Sequence, residues 1–189
     1  TQLKNVLSRG LTGSYITDFD SRLEKAVSEL LYSERKVFPY CSEKELPSSI
    51  KTKLYQPWAP NDLKYREEPS LVIKPPFPWA DSLLLLALKE DCEEIKPLAE
   101  SAAADCSKLP APLTAAVTRS IYDLIAALQV REEKNWFLYD KFLNKYWKRN
   151  GPYLYSKIPE EKYNDFVSHC LDCHLVINPD VLKPSIVPF

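Results

Sequence analysis

The sequence predicts an all-α protein: an irregular helical bundle of about five helices with a long extended arm, rich in proline and aromatic residues, wrapped along it. Apolar residues recur at helical spacing over most of the chain, and runs of alternating apolar and polar residues are nearly absent. Prolines concentrate in residues 38–80, which hold eight of the 16 prolines and none of the three glycines. A length of 189 residues fits one domain, residues 1–189, with the arm inside it.

One segment of about two helical turns and one substantial helix are expected before the arm. The first covers about residues 1–9, and the second begins at Thr17 or Asp18 and runs to about Lys36. The second helix carries an apolar stripe with charged residues on its other positions, which is typical of a helix packed on a core. The stripe consists of Phe19, Leu23, Ala26, Val27, Leu30 and Leu31.

The arm, residues 38–80, is predicted to be extended because proline restricts the backbone and removes a hydrogen-bond donor. Seven aromatic residues lie in it, whereas a disordered segment would be poor in them. We therefore expect the arm to lie along a surface with its rings docked. Leu71-Val72-Ile73 is the only plausible strand that we identify in the sequence.

Helices are expected again after Trp79, over residues 83–94, 98–106, 112–128, 132–149 and 160–177. The run from Leu83 to Leu88 is apolar nearly all round, which predicts a central helix. Residues 112–128 carry one clear apolar stripe, and residues 132–149 carry an aromatic face that includes Trp136 and Trp147.

Overall charge and hydropathy exclude some classes of function. The net charge is -1 and the isoelectric point about 6.2, so no global basic field favours nucleic acid or anionic lipid. No apolar run approaches the roughly 18 residues that a membrane span needs. Five cysteines without a dense disulfide pattern, and no signal-peptide pattern, predict a reducing intracellular compartment, cytoplasm or nucleus. The chain lacks an initial methionine, so a processed form or an excised fragment is also compatible with it, and so is import into an organelle.

Ligand-type side chains cluster at His169-Cys170-Leu171-Asp172-Cys173-His174. At 100° per residue, Cys170 and His174 fall on the apolar face of the last predicted helix, and His169 falls on its polar margin. The simplest interpretation is therefore packing, with Cys170 as a small buried apolar group and no cofactor bound.

Two cofactor alternatives use the same residues. Thioether bonds to Cys170 and Cys173 with His174 as axial ligand would attach haem c. This placement on the last helix of a helical protein resembles that of cytochromes c′, which implies a five-coordinate iron. Alternatively, Cys170, Cys173 and His174 could bind zinc, and a closed site would need a fourth ligand from Cys41, Cys92 or Cys106.

The sequence contains few residue patterns that are typical of catalytic sites, so it predicts a protein that is not an enzyme. Both histidines lie in one cluster, and three glycines cannot form a phosphate-binding loop. The leading hypothesis is a non-catalytic interaction or scaffold subunit of a larger assembly, whose partner is another protein. It rests on the arm and on an aromatic content of 12%. The predicted partner-binding residues are Trp58, Phe77, Trp79, Trp136 and Trp147.

A weaker alternative is a nucleic-acid-associated subunit. Four basic residues near aromatic side chains could bind phosphates while the rings stack on bases. They are Lys141, Lys145, Lys148 and Arg149. The end of a helix is, however, commonly rich in basic residues, because cations interact favourably with the helix dipole there.

Overall fold

The computed structural model describes residues 2–10, 18–47, 53–58, 65, 67–76, 83–92 and 95–187. The chain forms two compact units. Unit 1 comprises Thr1–Gln56 and Asp62–Gln129, and unit 2 comprises Pro57–Asn61 and Val130–Phe189. The short segment 57–61 therefore belongs with the C-terminal third of the chain, although unit 1 residues flank it on both sides.

Unit 1 begins with helices α1 (Gln2–Leu7) and α2 (Asp18–Leu31). The buried residues of α2 are the six of the predicted apolar stripe, which confirms this helix and its inward face. α2 ends five residues earlier than predicted, at Leu31, and Tyr32 follows with a left-handed φ of 52°. The chain then turns directly into the first strand.

A four-stranded sheet forms the centre of unit 1. Its strands are β1 (Arg35–Tyr40), β2 (Lys53–Leu54), β3 (Ser70–Ile73) and β4 (Leu84–Lys89). The spatial order is β1-β4-β3-β2. β4 is antiparallel to both of its neighbours, whereas β2 and β3 are parallel.

The prediction of an all-α protein is wrong, because the described residues contain two β-sheets with seven strands. The clearest error is the run 83–88, which we predicted as a central helix and which is mostly β4. Leu84–Leu88 are buried on both faces of the sheet. A strand covered on both sides shows a continuous apolar run, and periodicity cannot distinguish such a run from a buried helix.

The predicted arm, 38–80, supplies residues to three strands of this sheet, and its segment 57–61 belongs to unit 2. β1 contains Phe38 to Tyr40, and β3 is the strand predicted at residues 71–73. β1 lies at an edge of the sheet, where Pro39 is tolerated because its missing N–H removes no bond inside the ladder. Its carbonyl oxygen still accepts a hydrogen bond from Ser107 N at 2.8 Å.

Helices α3 (Lys96–Asp105) and α4 (Ala111–Val130) follow the sheet and confirm the helices predicted at 98–106 and 112–128. One face of β4 packs against Ile95 and against Ala102 of α3. The buried members of this core cluster are Tyr40, Val72, Leu84, Leu86, Leu88, Ile95 and Ala102. The alternate residues of β4 thus anchor α3 to the sheet.

Unit 2 contains two 3-10 turns (Glu133–Asn135 and Phe137–Tyr139), the short helix α5 (Asp140–Leu143), a three-stranded sheet and helix α6 (Glu160–Asp172). The antiparallel sheet has the order β5-β6-β7, formed by Trp147–Asn150, Tyr153–Ser156 and Ser185–Ile186. The helix predicted at 132–149 is therefore wrong, since this segment consists of turns, one helical turn and a strand. Helix α6 confirms the last predicted helix but ends at Asp172.

Candidate functional site

Three of the predicted partner-binding tryptophans lie in the core of unit 2. Trp136 and Trp147 are 2% and 3% exposed, and Trp58 packs against the same cluster. The Trp58 and Trp136 rings meet edge to face, with centroids 5.7 Å apart. These three rings therefore pack within unit 2, and their role in binding a partner stays a prediction. Phe77 and Trp79, the other two predicted residues, lie outside the described residues.

Trp58 is held in this core by the turn between β5 and β6. The Tyr153 hydroxyl donates a hydrogen bond to the Pro57 carbonyl at 2.9 Å. Gly151 has a φ of +57°, and a Cβ atom there would lie 2.6 Å from the Trp58 carbonyl oxygen. The close approach therefore requires glycine, for backbone conformation and for space.

The cysteine and histidine cluster does not come together as one site. Cys170 is 5% exposed in the core of unit 2, and burial raises the pKa of its thiol. Cys173, His169 and His174 are exposed, with the Cys173 Sγ 4.0 Å from the His169 Nε2. His174 has a left-handed φ of 60° just after α6, so it does not continue the helical face on which we placed it. Within the described ranges, no three His, Cys, Asp or Glu side chains are grouped to hold a metal ion.

The charged centre of unit 2 is Arg149 on β5, whose side chain is only 10% exposed. It forms a bidentate pair with Asp140, with Nε to Oδ1 at 2.5 Å and Nη2 to Oδ2 at 2.9 Å. It also donates to Glu133 Oε1 at 2.5 Å and to the Gly151 carbonyl at 2.9 Å. Arg149 thus ties a 3-10 turn, α5 and the β5–β6 turn to one guanidinium group.

These bonds shift the pKa of both partners toward the charged forms. The hydrogen bond from Arg149 lowers the pKa of Asp140 below its ordinary value of 3.8, and the two carboxylates raise the pKa of Arg149. Of the four predicted basic residues, Arg149 is therefore engaged in ion pairs with Asp140 and Glu133 within unit 2. Lys141, Lys145 and Lys148 are exposed and form no ion pair with a described residue.

The turn that Arg149 fixes carries a group of exposed apolar side chains with lysines beside them. We call the apolar side chains and these lysines together the basic surface. Leu138 is 65% exposed and Phe142 is 72% exposed. Leu138 lies in the 3-10 turn that leads directly into α5, Phe142 and Lys141 lie in α5, and Lys145 lies in the turn that follows it. The basic surface comprises Phe137, Leu138, Tyr139, Phe142, Lys141 and Lys145.

Sequence reasoning missed Phe137 and Leu138 because it assigned residues 132–149 to one helix with its aromatic face turned inward. The segment has more large apolar residues than one helical face can bury, and this excess was the available signal. In the structure only some of these large apolar residues are buried. Trp136 and Trp147 lie in the core, whereas Phe137, Leu138 and Phe142 are exposed.

No family model matches the chain, and no solved structure matches it. An uncharacterized protein of Treponema pallidum (strain Nichols) is similar, with 29% identity over 58 residues. The match covers 31% of this chain and 19% of that protein, so the chain spans about a fifth of its relative.

None of the helices in the described part of the chain is long and apolar enough to cross a bilayer. The longest, α4, has 20 residues. This agrees with the absence of a long apolar run in the sequence.

Proposed function

We propose that the chain is a non-catalytic interaction or scaffold module of a larger assembly, and that the basic surface of unit 2 is its docking surface. One observation carries the proposal: Leu138, in the 3-10 turn Phe137–Tyr139, and Phe142, in the helix α5 that follows directly, are 65% and 72% exposed. Large apolar side chains grouped on a surface commonly mark contacts with other proteins.

The energetics of this turn suit binding. Complete burial of a Leu or Phe side chain stabilises a complex by about 1.5–3 kcal/mol each. Arg149 already orders the turn through Asp140, Glu133 and Gly151, so docking fixes little additional backbone. A rigid apolar pair is the arrangement expected at the centre of an interface, with the polar residues at its rim.

The charges beside the apolar pair select the chemistry of the partner. Arg149 pairs with the nearby acids Asp140 and Glu133, while Lys141 and Lys145 stay exposed. The surface therefore favours a protein segment that combines apolar anchors with acidic residues. Its length of about two turns is short for a helix that lies on a membrane, and this favours a discrete protein partner.

Quantitative affinity capture with the full chain tests the proposal. The test variant is Leu138→Ser with Phe142→Ser, and the matched control is Leu7→Ser with Leu54→Ser, which changes two exposed leucines of unit 1. Proteins captured by the wild type and the control but lost with the test variant are the expected partners. If all captured proteins are retained by a folded test variant, the basic surface is not the docking site.

A further inference from the structure

Unit 2 contains residues 130–189 and the short segment Pro57–Asn61, which unit 1 residues flank on both sides. The chain therefore does not join this segment directly to the rest of unit 2. Non-covalent contacts hold it there, as they hold a bound peptide. Its described residues are Pro57 and Trp58, which we call the built-in segment.

The built-in segment makes the contacts of a peptide with one aromatic anchor. The half-buried Trp58 ring packs against the core of unit 2 and meets the Trp136 ring edge to face, with centroids 5.7 Å apart. Tyr153 is 7% exposed, and its hydroxyl donates a hydrogen bond to the Pro57 carbonyl at 2.9 Å. A buried hydroxyl that binds a main-chain carbonyl fixes the orientation of an occupant, as the few polar groups of a ligand site do.

Gly151 completes the site beside the main chain of Trp58. A Cβ atom at Gly151 would lie 2.6 Å from the Trp58 carbonyl oxygen, so glycine is required for this close approach. We call Trp136, Gly151 and Tyr153 together the Pro-Trp site. It contacts two consecutive carbonyl groups and one indole ring, so it depends on the main chain of its occupant as well as on the side chain.

Trp58 is held in a backbone conformation that an aromatic residue rarely adopts. Its φ is 63°, in the left-handed region. For a residue other than glycine, this conformation weakens binding by roughly five- to thirtyfold relative to an unstrained segment. Strained residues of this kind cluster at ligand clamps and switch regions. The built-in segment therefore fills the site without being its best ligand.

We propose that the Pro-Trp site binds a proline-tryptophan segment of a partner protein, and that the built-in segment occupies the site when this partner is absent. Proline restricts the free segment, which lowers the entropy lost on binding. The site shares no residue with the basic surface, so the inference goes beyond the proposed function and does not depend on it. The same segment of a second copy is a poor occupant, because it carries the same strain and competes with a tethered one.

The expected affinities follow from this competition. Burial of one tryptophan side chain and one hydrogen bond correspond to a dissociation constant of about 10–100 μM for a short peptide at the empty site. The built-in segment is tethered at an effective concentration of about 1 mM. The wild type should therefore bind the peptide about 10- to 100-fold more weakly than a variant without the Trp58 ring.

The test is the binding of dye-labelled peptides to the full chain, measured by fluorescence anisotropy. The probe has the sequence of residues 55–61, and the control peptide has alanine in place of its tryptophan. The receptor is Trp58→Ala, which removes the built-in anchor and leaves the Pro-Trp site unchanged. It should bind the probe with a dissociation constant of about 10–100 μM and the control peptide at least about tenfold more weakly. If Trp58→Ala does not fold, Trp58→Leu retains part of the apolar volume and takes its place.

Substitutions in the site show where the peptide binds. Added to Trp58→Ala, Gly151→Ala places a Cβ atom against the carbonyl of the occupant and should weaken binding at least about tenfold. Tyr153→Phe removes the hydrogen bond with a smaller change of shape and should weaken it about three- to tenfold. Gly10→Ala is the matched control, because Gly10 also has a left-handed φ but has open space around it. It should leave peptide binding unchanged.

Four results would overturn the inference. They are a folded Trp58 variant that does not bind the probe, a wild type that binds it as tightly as that variant, equal binding of the probe and the control peptide, and binding that the Gly151 and Tyr153 substitutions leave unchanged. Self-association of the wild type that Trp79→Ala abolishes would assign the site to the second Pro-Trp sequence of another copy instead of to a partner protein. The capture experiment judges the proposed function separately, because its variant leaves the Pro-Trp site unchanged.

Discussion

Replacing Arg149 with alanine should strongly destabilise unit 2. The change removes two hydrogen bonds to Asp140, one to Glu133 and one to the Gly151 carbonyl. The Arg149 side chain is 10% exposed, whereas those of Asp140 and Glu133 are 32% and 63% exposed. The perturbation therefore leaves one partly buried carboxylate and one carbonyl without their donor.

The magnitude follows from these exposures. Glu133 is mostly in solvent, so its pair contributes at most about 1 kcal/mol. The bidentate bond to Asp140 is charge-assisted and less exposed, which corresponds to about 1.5–3 kcal/mol. Together with the bond to Gly151, we expect Arg149→Ala to lower the free energy of unfolding by about 2–4 kcal/mol.

Urea unfolding followed by tryptophan fluorescence measures this loss, because Trp58, Trp136 and Trp147 all lie in unit 2. Arg119→Ala is the matched control, since Arg119 pairs with Asp123 in an i,i+4 arrangement with both side chains more than half exposed. That substitution should cost less than about 0.5 kcal/mol. If Arg149→Ala costs no more than Arg119→Ala, the network does not hold unit 2 together, and the reasoning from burial is wrong.

Three further predictions concern unit 2. Gly151→Ala should lower the free energy of unfolding in urea by about 1–3 kcal/mol, because the added Cβ would meet the Trp58 carbonyl. At Gly10 a Cβ would have open space, so Gly10→Ala should lower it by only about 1 kcal/mol. Equal losses in the two variants would argue against the close approach at Gly151. The folded pKa of Asp140 is lowered, so its stabilisation is complete above its ordinary pKa of 3.8 and is lost as pH falls through the folded value. Urea midpoints at decreasing pH should therefore fall less in Asp140→Asn than in the wild type, and parallel curves would contradict the pairing. A thiol reagent should modify exposed Cys173 rapidly and Cys170 only on unfolding, because Cys170 is buried and burial raises the pKa of its thiol. Peptide mass spectrometry measures the two modification rates, and equal rates would contradict the burial of Cys170.

Amphipathic segments were predictable from the sequence. The stripe of α2 from Phe19 to Leu31 matches its buried residues, because a helix with one buried face shows its period directly. α4 and α6 were predicted for the same reason. The position of Cys170 on the inward face of α6 also follows from this spacing, and the structure places it in the core.

Elements without a one-sided pattern were not predictable in this way. β4 is buried on both faces, so Leu84 to Leu88 show no alternation that would identify a strand. β1 contains a proline and lies at an edge, and its partner β4 is more than 40 residues away in sequence. Pairing over that distance depends on contacts that no local period records.

The candidate site shows the same division. The apolar excess at residues 136–147, the lysines among it and the inward face of α6 can be recognised in the sequence. The burial of Trp136 and Trp147 and the exposure of Leu138 and Phe142 are visible only in the folded chain. Trp136 and Trp147 are covered because they pack with Tyr163, Cys170 and Val187, and these contacts between residues distant in the chain leave no local pattern in the sequence.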